Sequence, residues 1–452
     1  MLNIPTDAAV ILRCLHQAGH QAYVVGGCVR DALLGREPKD WDMCTSATPE
    51  EMLRIFHDFH VVETGRQHGT LTVVLHHVPY EVTTFRVDEG YADHRHPDHV
   101  RFVTDVREDL ARRDFTINAM AWSPETGLVD AFAGQQDLAA GVLRCVGEPP
   151  LRFEEDALRI LRALRFASTY ALTIEAKTAE TIHALHPTLK NVAAERIRVE
   201  LGKLLCGPAA AEVLRAYPDV LHTILPETQA MYGFAQHTPY HRYDVWEHTL
   251  HALAAAPAEE TIRFAVLLHD AGKPEAFTLD AQGVGHAYGH GRISAEKAAS
   301  AMARLKMDRA TWEDVVLLVE KHDIPTDPDR RLMKCRLNQL GERRLRMLLA
   351  VQRADALGKG TMDPAVIEAM TQERLDLVDA LVAENACVTL KQLAVNGRDL
   401  MQAGIPAGKT VGLLLNALLA EVMDEKLPNE RETLLARATA LQAEGGTHGQ
   451  VE

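Results

Sequence analysis

The stretch AYVVGGCVRDALLGREPKDWDMCT, residues 22–45, decides the fold of the first part of this chain. Its apolar beginning, Ala22–Gly27, predicts a buried strand that ends in a glycine turn. Val29–Gly35 predicts a helix, and Lys39–Thr45 predicts a second strand. The alternation of strand and helix indicates an α/β unit at the start of the chain.

Two later segments extend the predicted sheet. LTVVL (Leu71–Leu75) and YEVTTFR (Tyr80–Arg86) predict a hairpin whose connection is HHVP. Together with the earlier strands, they indicate a small mixed sheet with helices.

Two aspartates of the second strand are spaced so that they share a face. Side chains alternate along a strand, so Asp40 and Asp42 are expected on one side of the sheet. Carboxylates are ligands for Mg²⁺, and two Mg²⁺ ions would activate a 3′-hydroxyl and stabilise a leaving pyrophosphate. Glu81, on a later predicted strand, is either a third carboxylate of this site or a solvated strand residue.

Glycines and arginines near these carboxylates predict a nucleotide site. Gly26 and Gly27 let backbone amides approach phosphate oxygens, and Arg30 follows at the predicted helix. The motif RRDFTINAM adds Arg113 and Asp114. Asp114 alone also fits a helix cap, but beside the other two motifs both residues are predicted to contact nucleotide.

The pattern becomes helical after Pro149-Pro150, and residues 151–166 predict one helix with a polar stripe. The stripe consists of Asp156, Arg159, Arg162 and Arg165. Its spacing also fits a solvated surface with an ion pair worth about 0.2–0.5 kcal/mol. As a functional site, the carboxylate would accept from the cytosine amine and the arginine would donate to ring acceptors. The stripe could then select C or A without a nucleic-acid template.

A histidine-rich helical block is predicted from Tyr243 to about Gly360, after an irregular stretch at Met231–Tyr243. Its candidate ligands are His248, His269, Asp270, His286, His290, His322 and Asp355. Histidine and aspartate bind divalent metals, and side chains from several helices can meet in a bundle core. The alternative is a degenerate bundle that binds RNA without metal.

The ordered motifs resemble a known enzyme family. GGCVRDALLGREPKDWDMCTSATPEE, RRDFTINAM and EEDALRILRALRF are similar to motifs of class II tRNA nucleotidyltransferases, the CCA-adding enzymes and their bacterial poly(A) polymerase relatives. The resemblance extends over nearly the whole chain, including the segment from about Val388. It implies addition of C and A from CTP and ATP to a tRNA 3′ end, with Mg²⁺ on Asp40 and Asp42.

The same resemblance implies roles for the remaining motif residues. Gly27, Arg30 and Arg113 would bind the nucleotide triphosphate, and Asp156 and Arg159 would select the base. The other two arginines of the stripe would support the triphosphate or RNA phosphate.

The histidine pattern resembles the HD phosphohydrolase superfamily. This implies that His248, His269, Asp270 and Asp355 bind a divalent metal, with His290 and His322 as additional ligands. Imidazole ligands favour Mn²⁺, Ni²⁺, Co²⁺ or Zn²⁺ over Mg²⁺.

A polar segment before the RRD motif carries one further resemblance. DEGYADHRHP is similar to the flexible loop of CCA-adding and A-adding members, much of which is missing from members that add only CC. Its presence predicts A addition.

The amino-acid composition narrows the expected location and binding partners of the protein. The net charge of −15 argues against a general nucleic-acid binder, although a local basic stripe is compatible with RNA. The seven cysteines include no CxxC pair, which favours a reducing cytoplasm. No apolar run reaches the roughly 18–20 residues that span a bilayer. We therefore expect tRNA, ATP and CTP as partners, and neither membrane nor DNA.

The sequence as a whole predicts an α+β fold with four domains. These are a mixed-sheet nucleotidyltransferase head (1–148), a helical neck (149–232), an HD-type helical bundle (233–360) and a helical tRNA-binding region (361–452). The motifs leave three rivals to a CCA-adding enzyme: an A-adding enzyme, a poly(A) polymerase, and an RNA-binding HD phosphohydrolase with an inactive head.

Overall fold

The computed structural model describes residues 2–89 and 99–446 of the 452-residue chain. The predicted loop at Gly90–Pro97 and the end of the tail, from residue 447, lie outside the described residues. Backbone contacts divide the chain into two compact units, residues 1–229 with 304–307 and residues 230–303 with 308–452. The four domain boundaries from the sequence are finer than this division and stay predictions.

The first unit contains a mixed sheet. The strands of this unit are β1 Ala22–Val25, β2 Met43–Thr45, β3 His60–Val62, β4 Thr70–Leu75, β5 Val78–Thr84, β6 Arg86–Glu89, β7 His99–Phe102, β8 Ala121–Ser123, β9 Gly127–Val129, β10 Val142–Leu143 and β11 Thr173–Ile174. Seven of them form one sheet in the order β3-β4-β5-β2-β1-β8-β9. Only the β2–β5 pair within it is parallel, so the predicted mixed sheet is confirmed.

The apolar sequence of β1 explains why this strand is buried inside the sheet. All four residues of β1 are buried, as an unbroken apolar run predicts for a strand covered on both faces. The hairpin of β4 and β5 is confirmed, but its turn is only His76-His77, with φ values of 47° and 68°. Two consecutive left-handed residues are typical of a two-residue hairpin turn. Arg86 begins β6 instead of ending the hairpin.

The helices of the first unit are α1 Thr6–Gln17, α2 Gly27–Leu33, α3 Pro49–Ile55, α4 Val106–Ala111, α5 Gly134–Ala140, α6 Pro149–Glu155, α7 Leu158–Tyr170, α8 Ala176–Leu185, α9 Ala194–Leu205, α10 Ala210–Ala216 and α11 Pro218–Ile224. The prediction of one helix over residues 151–166 is wrong. The chain breaks between α6 and α7 at Asp156, whose φ of −148° and ψ of 103° are extended.

The second unit is mainly helical, as predicted. Its elements are α12 Val245–Ala255, α13 Glu260–Leu268, α14 Lys273–Ala276, β12 Thr278–Leu279, β13 Gly285–His286, α15 His290–Arg304, α16 Arg309–Lys321, α17 Arg330–Lys359, α18 Pro364–Ala383, α19 Gly397–Gln402, α20 Lys409–Met423 and α21 Arg431–Gly446. Short 3-10 turns occur in both units, at Arg66–His68, Thr116–Asn118, His186–Asn191, Pro226–Met231 and Leu390–Gln392.

Helix starts in the second unit are fixed by aspartate caps. The Asp244 carboxylate accepts from the Glu247 amide at 2.7 Å at the start of α12, and Asp308 accepts from the Thr311 amide at 3.0 Å at the start of α16. The long helix α17 is interrupted at Gly341, whose φ of 73° and ψ of 163° are not helical. None of the described helices is long and apolar enough to cross a membrane.

Candidate active sites

Asp40 and Asp42 lie at the edge of the sheet, immediately before β2. This strand begins at Met43 because its pairing with β1 and β5 begins there, so the predicted strand over Lys39–Thr45 is too long at its start. The carbonyl of Asp42 still accepts a 2.9 Å hydrogen bond from the Val25 amide at the end of β1. This bond fixes the backbone beside the glycine turn, and both carboxylates reach solvent there.

Glu81 lies beside Asp42 on the neighbouring strand. The parallel register of β2 and β5 puts the two residues at the same level. Although Asp42 reaches solvent, desolvation raises its pKa, and the charges of Asp40 and Glu81 add to a shift to about 6 that Arg113 opposes. The three carboxylates therefore repel one another at a place where a divalent cation would relieve the repulsion. Their oxygens do not all come within 4.8 Å of one another, so the arrangement is open.

Gly26 makes room for the arginine of the RRD motif. It turns the chain from β1 into α2 with a φ of 79°, and its amide donates to the Met120 carbonyl at 3.0 Å. A Cβ atom at this residue would lie 2.9 Å from Nη1 of Arg113. Nη2 of the same arginine donates to the buried Asp109 at 3.3 Å. The glycine turn and Arg113 are thus adjacent, as a triphosphate site requires.

Arg30 is buried, with 5% of its surface exposed. Its guanidinium donates to Asp31 at 3.0 Å, to the Tyr170 hydroxyl at 2.5 Å and to the Asn118 side chain. It also lies 4.4 Å from the centroid of the Tyr170 ring. Arg30 therefore ties α2 to the end of α7, and its direct contact with a triphosphate stays a prediction.

Asp114 connects the RRD motif to the polar stripe. Its Oδ2 accepts from Nε and Nη2 of Arg162 at 2.9 and 2.6 Å, and its Oδ1 accepts from Asn118 at 3.2 Å. Burial alone would raise the pKa of Asp114, but the charge and hydrogen bonds of Arg162 lower it to about 2. The carboxylate therefore stays ionised inside the protein, in an ion pair in place of the alternative helix cap.

Asp156 and Arg159 lie at the junction of α6 and α7 with different partners from those expected. Asp156 forms a bidentate pair with Arg196 of α9, at 3.3 and 2.7 Å, instead of an ion pair along one helix. Arg159 pairs with Glu155 at 2.5 Å and donates to the Arg112 carbonyl at 3.2 Å. The two proposed base-reading residues thus remain neighbours, but on either side of a break.

The rest of the stripe packs against α9. Arg165 donates to Glu200 at 2.8 Å, and Arg162 lies 3.7 Å from the same carboxylate. Only 6% of Glu200 is exposed, so this cluster is internal rather than a solvated surface. The Arg165 guanidinium also stacks 3.7 Å from the centroid of the Phe166 ring.

The structure brings the predicted HD residues together in the second unit. Nε2 of His248 lies 3.1 Å from Nε2 of His269, and Oδ1 of Asp355 lies 3.0 and 3.5 Å from these two nitrogens. Oδ2 of Asp270 lies 3.3 and 3.2 Å from the same nitrogens. Both histidines and Asp270 are at most 1% exposed. Four predicted ligands from α12, the end of α13 and α17 therefore converge.

The two additional histidines converge on the other side of Asp270. Nε2 of His290 lies 3.0 Å from Nε2 of His322, and the two nitrogens lie 3.2 and 3.8 Å from Oδ1 of Asp270. His286 stays outside the cluster and pairs with Asp280 at 2.9 Å. Burial, followed by the charge of His269, lowers the pKa of His322 to about 4, which keeps it a neutral potential ligand.

An open cavity of about 510 Å³ leads to these ligands. Two lysines that the sequence analysis missed line it. Lys273 lies 2.6 Å from Oδ2 of Asp270, and Lys359 lies 2.8 Å from Oδ2 of Asp355. The signal for Lys273 was present, since it follows Asp270 by one helical turn in HDAGKP. Two cations beside the candidate metal ligands in one cavity suit an anionic substrate.

Comparison with known proteins covers most of the chain. Residues 22–144 match the model described as "Poly A polymerase head domain", 171–231 the "Probable RNA and SrmB- binding site of polymerase A", and 290–438 the tRNA nucleotidyltransferase domain 2. The CCA-adding enzyme of Levilactobacillus brevis is 35% identical over 96% of this chain and 97% of its own length. The chain belongs to the family of CCA-adding enzymes.

Other members agree in sequence and fold. The CCA-adding enzyme of Leuconostoc mesenteroides is 48% identical over 49% of this chain and 55% of its own length. The crystal structure of the Bacillus stearothermophilus CCA-adding enzyme in complex with CTP is 29% identical, covers 98% of both chains and has a TM-score of 0.73. The α+β fold with a sheet-containing head is therefore confirmed. None of the three matching domain descriptions mentions a phosphohydrolase, so the HD cluster stands on its geometry.

Proposed function

We propose that this chain adds C and A to the 3′ end of tRNA from CTP and ATP and releases pyrophosphate. Near-full-length identity to a CCA-adding enzyme supports the reaction. Two observations carry the site: the register of β2 and β5 brings Glu81 level with Asp42, and Arg113 lies beside the glycine turn at Gly26. Nucleotidyltransferases of this kind use a divalent metal, typically Mg²⁺.

Each head residue has a distinct task in this proposal. Asp40 and Asp42 hold Mg²⁺, with Glu81 as the third carboxylate. When bound, Mg²⁺ lowers the pKa of the attacking 3′-hydroxyl and neutralises charge on the triphosphate. Arg113 binds the triphosphate beside the turn, since its guanidinium already points there. Arg30 holds the turn against α7 through Tyr170, and positions the site.

Base selection is assigned to the break between α6 and α7. The Asp156 carboxylate is held by two bonds from Arg196, which fixes its direction and leaves acceptor capacity for a cytosine or adenine amine. Arg159 supplies donors from the first turn of α7. The Asp114–Arg162 pair links this reader to the RRD motif, so the base and triphosphate sites share one rigid frame.

One experiment separates the rival reactions. The full chain is incubated with tRNA lacking CCA, or ending in CC, with CTP and ATP, and the products are sequenced at their 3′ ends. Products ending in CCA support the proposal. Addition only to the tRNA ending in CC would identify an A-adding enzyme, and long A tracts on many RNAs would identify a poly(A) polymerase.

A second activity is favoured by the HD cluster. We propose that the second unit binds a divalent transition metal through His248, His269, Asp270 and Asp355, and hydrolyses a phosphoester such as a 3′-phosphate or cyclic phosphate on damaged tRNA. A bound metal would supply hydroxide near neutral pH. Lys273 and Lys359 lie where a phosphate would enter.

The test of this second activity is an assay of the purified chain on 2′,3′-cyclic nucleotides, 3′-phosphorylated tRNA and a generic phosphodiester. Mn²⁺, Ni²⁺, Co²⁺ and Zn²⁺ are added separately. Metal-dependent turnover supports the hydrolase, whereas no turnover and no bound metal would favour the degenerate bundle.

We also propose a cytoplasmic location, supported by seven cysteines that are all free.

A further inference from the structure

A second, smaller cavity lies in the second unit beside the open cavity that leads to the HD ligands. This aromatic pocket has a volume of about 200 Å³, and its apolar walls are Phe234, Val245 and Phe277. We propose that the aromatic pocket binds the nucleobase of an RNA 3′ end whose terminal phosphate lies in the larger cavity. This inference rests on the phosphohydrolase activity proposed for the second unit.

The two cavities share a wall. His241, Lys273 and Ala287 line both of them, and Nζ of Lys273 lies 2.6 Å from Oδ2 of Asp270 on the side of the HD ligands. A base and the phosphate of the same nucleotide can therefore occupy neighbouring cavities. Pockets for whole drug-sized ligands usually measure about 300–1,000 Å³. The aromatic pocket is smaller than this range and suits a planar fragment, whereas the larger cavity, of about 510 Å³, has room for sugar and phosphate.

The walls of the aromatic pocket suit a neutral planar ring. The Phe234 and Phe277 rings pack edge to face, with centroids 5.2 Å apart at 87°. The Phe277 ring is held in place by Gly285, where an added Cβ would lie 2.6 Å from it. Fixed aromatic rings bind nucleobases of any identity through their faces. No aspartate or glutamate is found among the described residues that line this pocket, whereas the larger cavity is lined by Asp270, Asp323, Asp327 and Asp355.

The shared wall also offers a hydrogen-bond donor that lacks a partner. Nε2 of His241 lies 3.4 Å from Nζ of Lys273. Because an ammonium group only donates, Nε2 accepts this bond and the ring proton is on Nδ1. Nδ1 of His241 is buried and has no hydrogen-bond partner in the described part of the chain. An unpaired buried donor is costly, and a carbonyl or ring nitrogen of a base in the pocket would pair with it.

Exposed aromatic rings at the edge of both cavities favour a nucleic-acid strand over a small phosphoester. His286 lines the aromatic pocket and Tyr288 lines the larger cavity, and their rings stack at 7° with centroids 5.2 Å apart. Tyr288 is 81% exposed, and Tyr240, another lining residue of the pocket, is 72% exposed. Exposed rings of this kind are platforms on which unpaired bases stack. They could hold the base that precedes the terminal nucleotide.

Binding of nucleosides tests the pocket without relying on activity. The full chain with Asp156→Ala and Arg159→Ala, which weakens base binding in the head, carries isotope-labelled alanine and valine methyl groups. It is titrated with cytidine, adenosine and ribose in the absence of metal and followed by nuclear magnetic resonance. We expect both nucleosides to shift the methyl signals of Val245 and Ala287, and ribose to leave them in place.

Two variants locate the binding. His241→Phe keeps a ring but removes the donor, and should weaken nucleoside binding by about tenfold. Its matched control is His251→Phe. His251 stacks on Tyr243 at 4.2 Å and is not among the described residues that line either cavity, so this variant should bind nucleosides as the parent does. Thr238→Phe fills the pocket from a residue that lines it but not the larger cavity, and should abolish the methyl shifts.

The outcomes separate this inference from the hydrolase proposal. Unmoved Val245 and Ala287 signals with both nucleosides, or equal shifts with ribose, would overturn the base-binding pocket even if the protein hydrolyses phosphoesters. Nucleoside binding without turnover on any phosphoester would support the pocket and refute the hydrolase. In an active protein, Thr238→Phe should lower kcat/KM about tenfold more for 2′,3′-cyclic nucleotides than for a base-free methyl riboside cyclic phosphate. Equal losses on the two substrates would overturn the assignment of the pocket to the base.

Discussion

The two candidate metal sites differ in the burial of their ligand side chains and in how closely the protein already spaces the ligand atoms. In the head, Asp40 and Asp42 reach solvent and the three carboxylates remain spread. In the second unit, His248 and Asp270 are at most 1% exposed, and their ligand atoms already lie at coordination spacing. The head therefore suits a hydrated ion that arrives with a triphosphate, whereas the histidine cluster suits a resident ion with nitrogen ligands.

The largest expected effect is a double dissociation between the sites. Asp40→Ala or Asp42→Ala should lower nucleotide addition by about a thousandfold or more, since lost metal stabilisation costs several kcal/mol. His269→Ala should abolish phosphoester hydrolysis and leave CCA addition unchanged. Both activities are measured on the same preparations after circular dichroism confirms folding.

Either of two results would contradict the assignment of independent activities to the two sites. Near-normal addition by a folded Asp40→Ala, Asp42→Ala double variant would refute the head assignment. Loss of CCA addition in His269→Ala would mean that the two sites are not independent.

The next largest effect concerns the glycine turn of the head. Gly26→Ala should reduce kcat/KM for addition by roughly a hundredfold, because its Cβ would clash with Arg113 at 2.9 Å and displace it. Gly19 also has a left-handed φ, of 87°, but nothing lies within 4 Å of its added Cβ. Gly19→Ala is therefore the control for a methyl group added at a glycine of positive φ without a clash. Equal kinetics for the two variants would show that the space beside Arg113 is unimportant.

The base-reading residues should give a smaller, selective effect. Asp156→Ala and Arg159→Ala should each lose about 1–3 kcal/mol of discrimination among CTP, ATP, UTP and GTP, by analogy with base readout in nucleic acids. Their affinity for tRNA should change less. Arg196→Ala should relax selection in the same direction, because it frees the Asp156 carboxylate. Unchanged nucleotide preference in Asp156→Ala and Arg159→Ala would rule out the base-reading role.

The segment Gly90–Pro97, outside the described residues, predicts a difference between the two nucleotides. Deleting part of it should slow A addition about tenfold more than C addition, since it resembles a loop reduced in CC-adding members. Single-turnover rates on tRNA lacking CCA and on tRNA ending in CC provide the measurement. Normal completion of CCA by the deletion variant would leave the segment as a simple connector.

The local sequence pattern predicted those structural elements that are determined by residues close to one another in the sequence. The buried strand β1 follows from an unbroken apolar run, the hairpin follows from two strand-like segments around HHVP, and the HD ligands follow from the resemblance of their motifs. The break at Asp156 was not predicted, and Arg196, which pairs with the Asp156 carboxylate in place of a helical neighbour, lies forty residues later in the chain. The burial of Arg30 likewise depends on Tyr170 at the end of α7, which no local periodicity reports.

A last effect concerns acid stability and the ion pair between the buried Asp114 and Arg162. The Asp114 pKa is lowered from 3.8 to about 2, so its pairing with Arg162 stabilises the folded state above about pH 4 and loses this effect as pH falls toward 2. The shift corresponds to about 2 kcal/mol. Asp114→Asn should therefore unfold more easily than wild type at pH 7, and the difference should shrink between pH 4 and pH 3. Urea unfolding, monitored by hydrogen exchange in α7 at each pH, measures the difference in unfolding free energy between the two proteins. A difference independent of pH would show that Asp114 is not the titrating group.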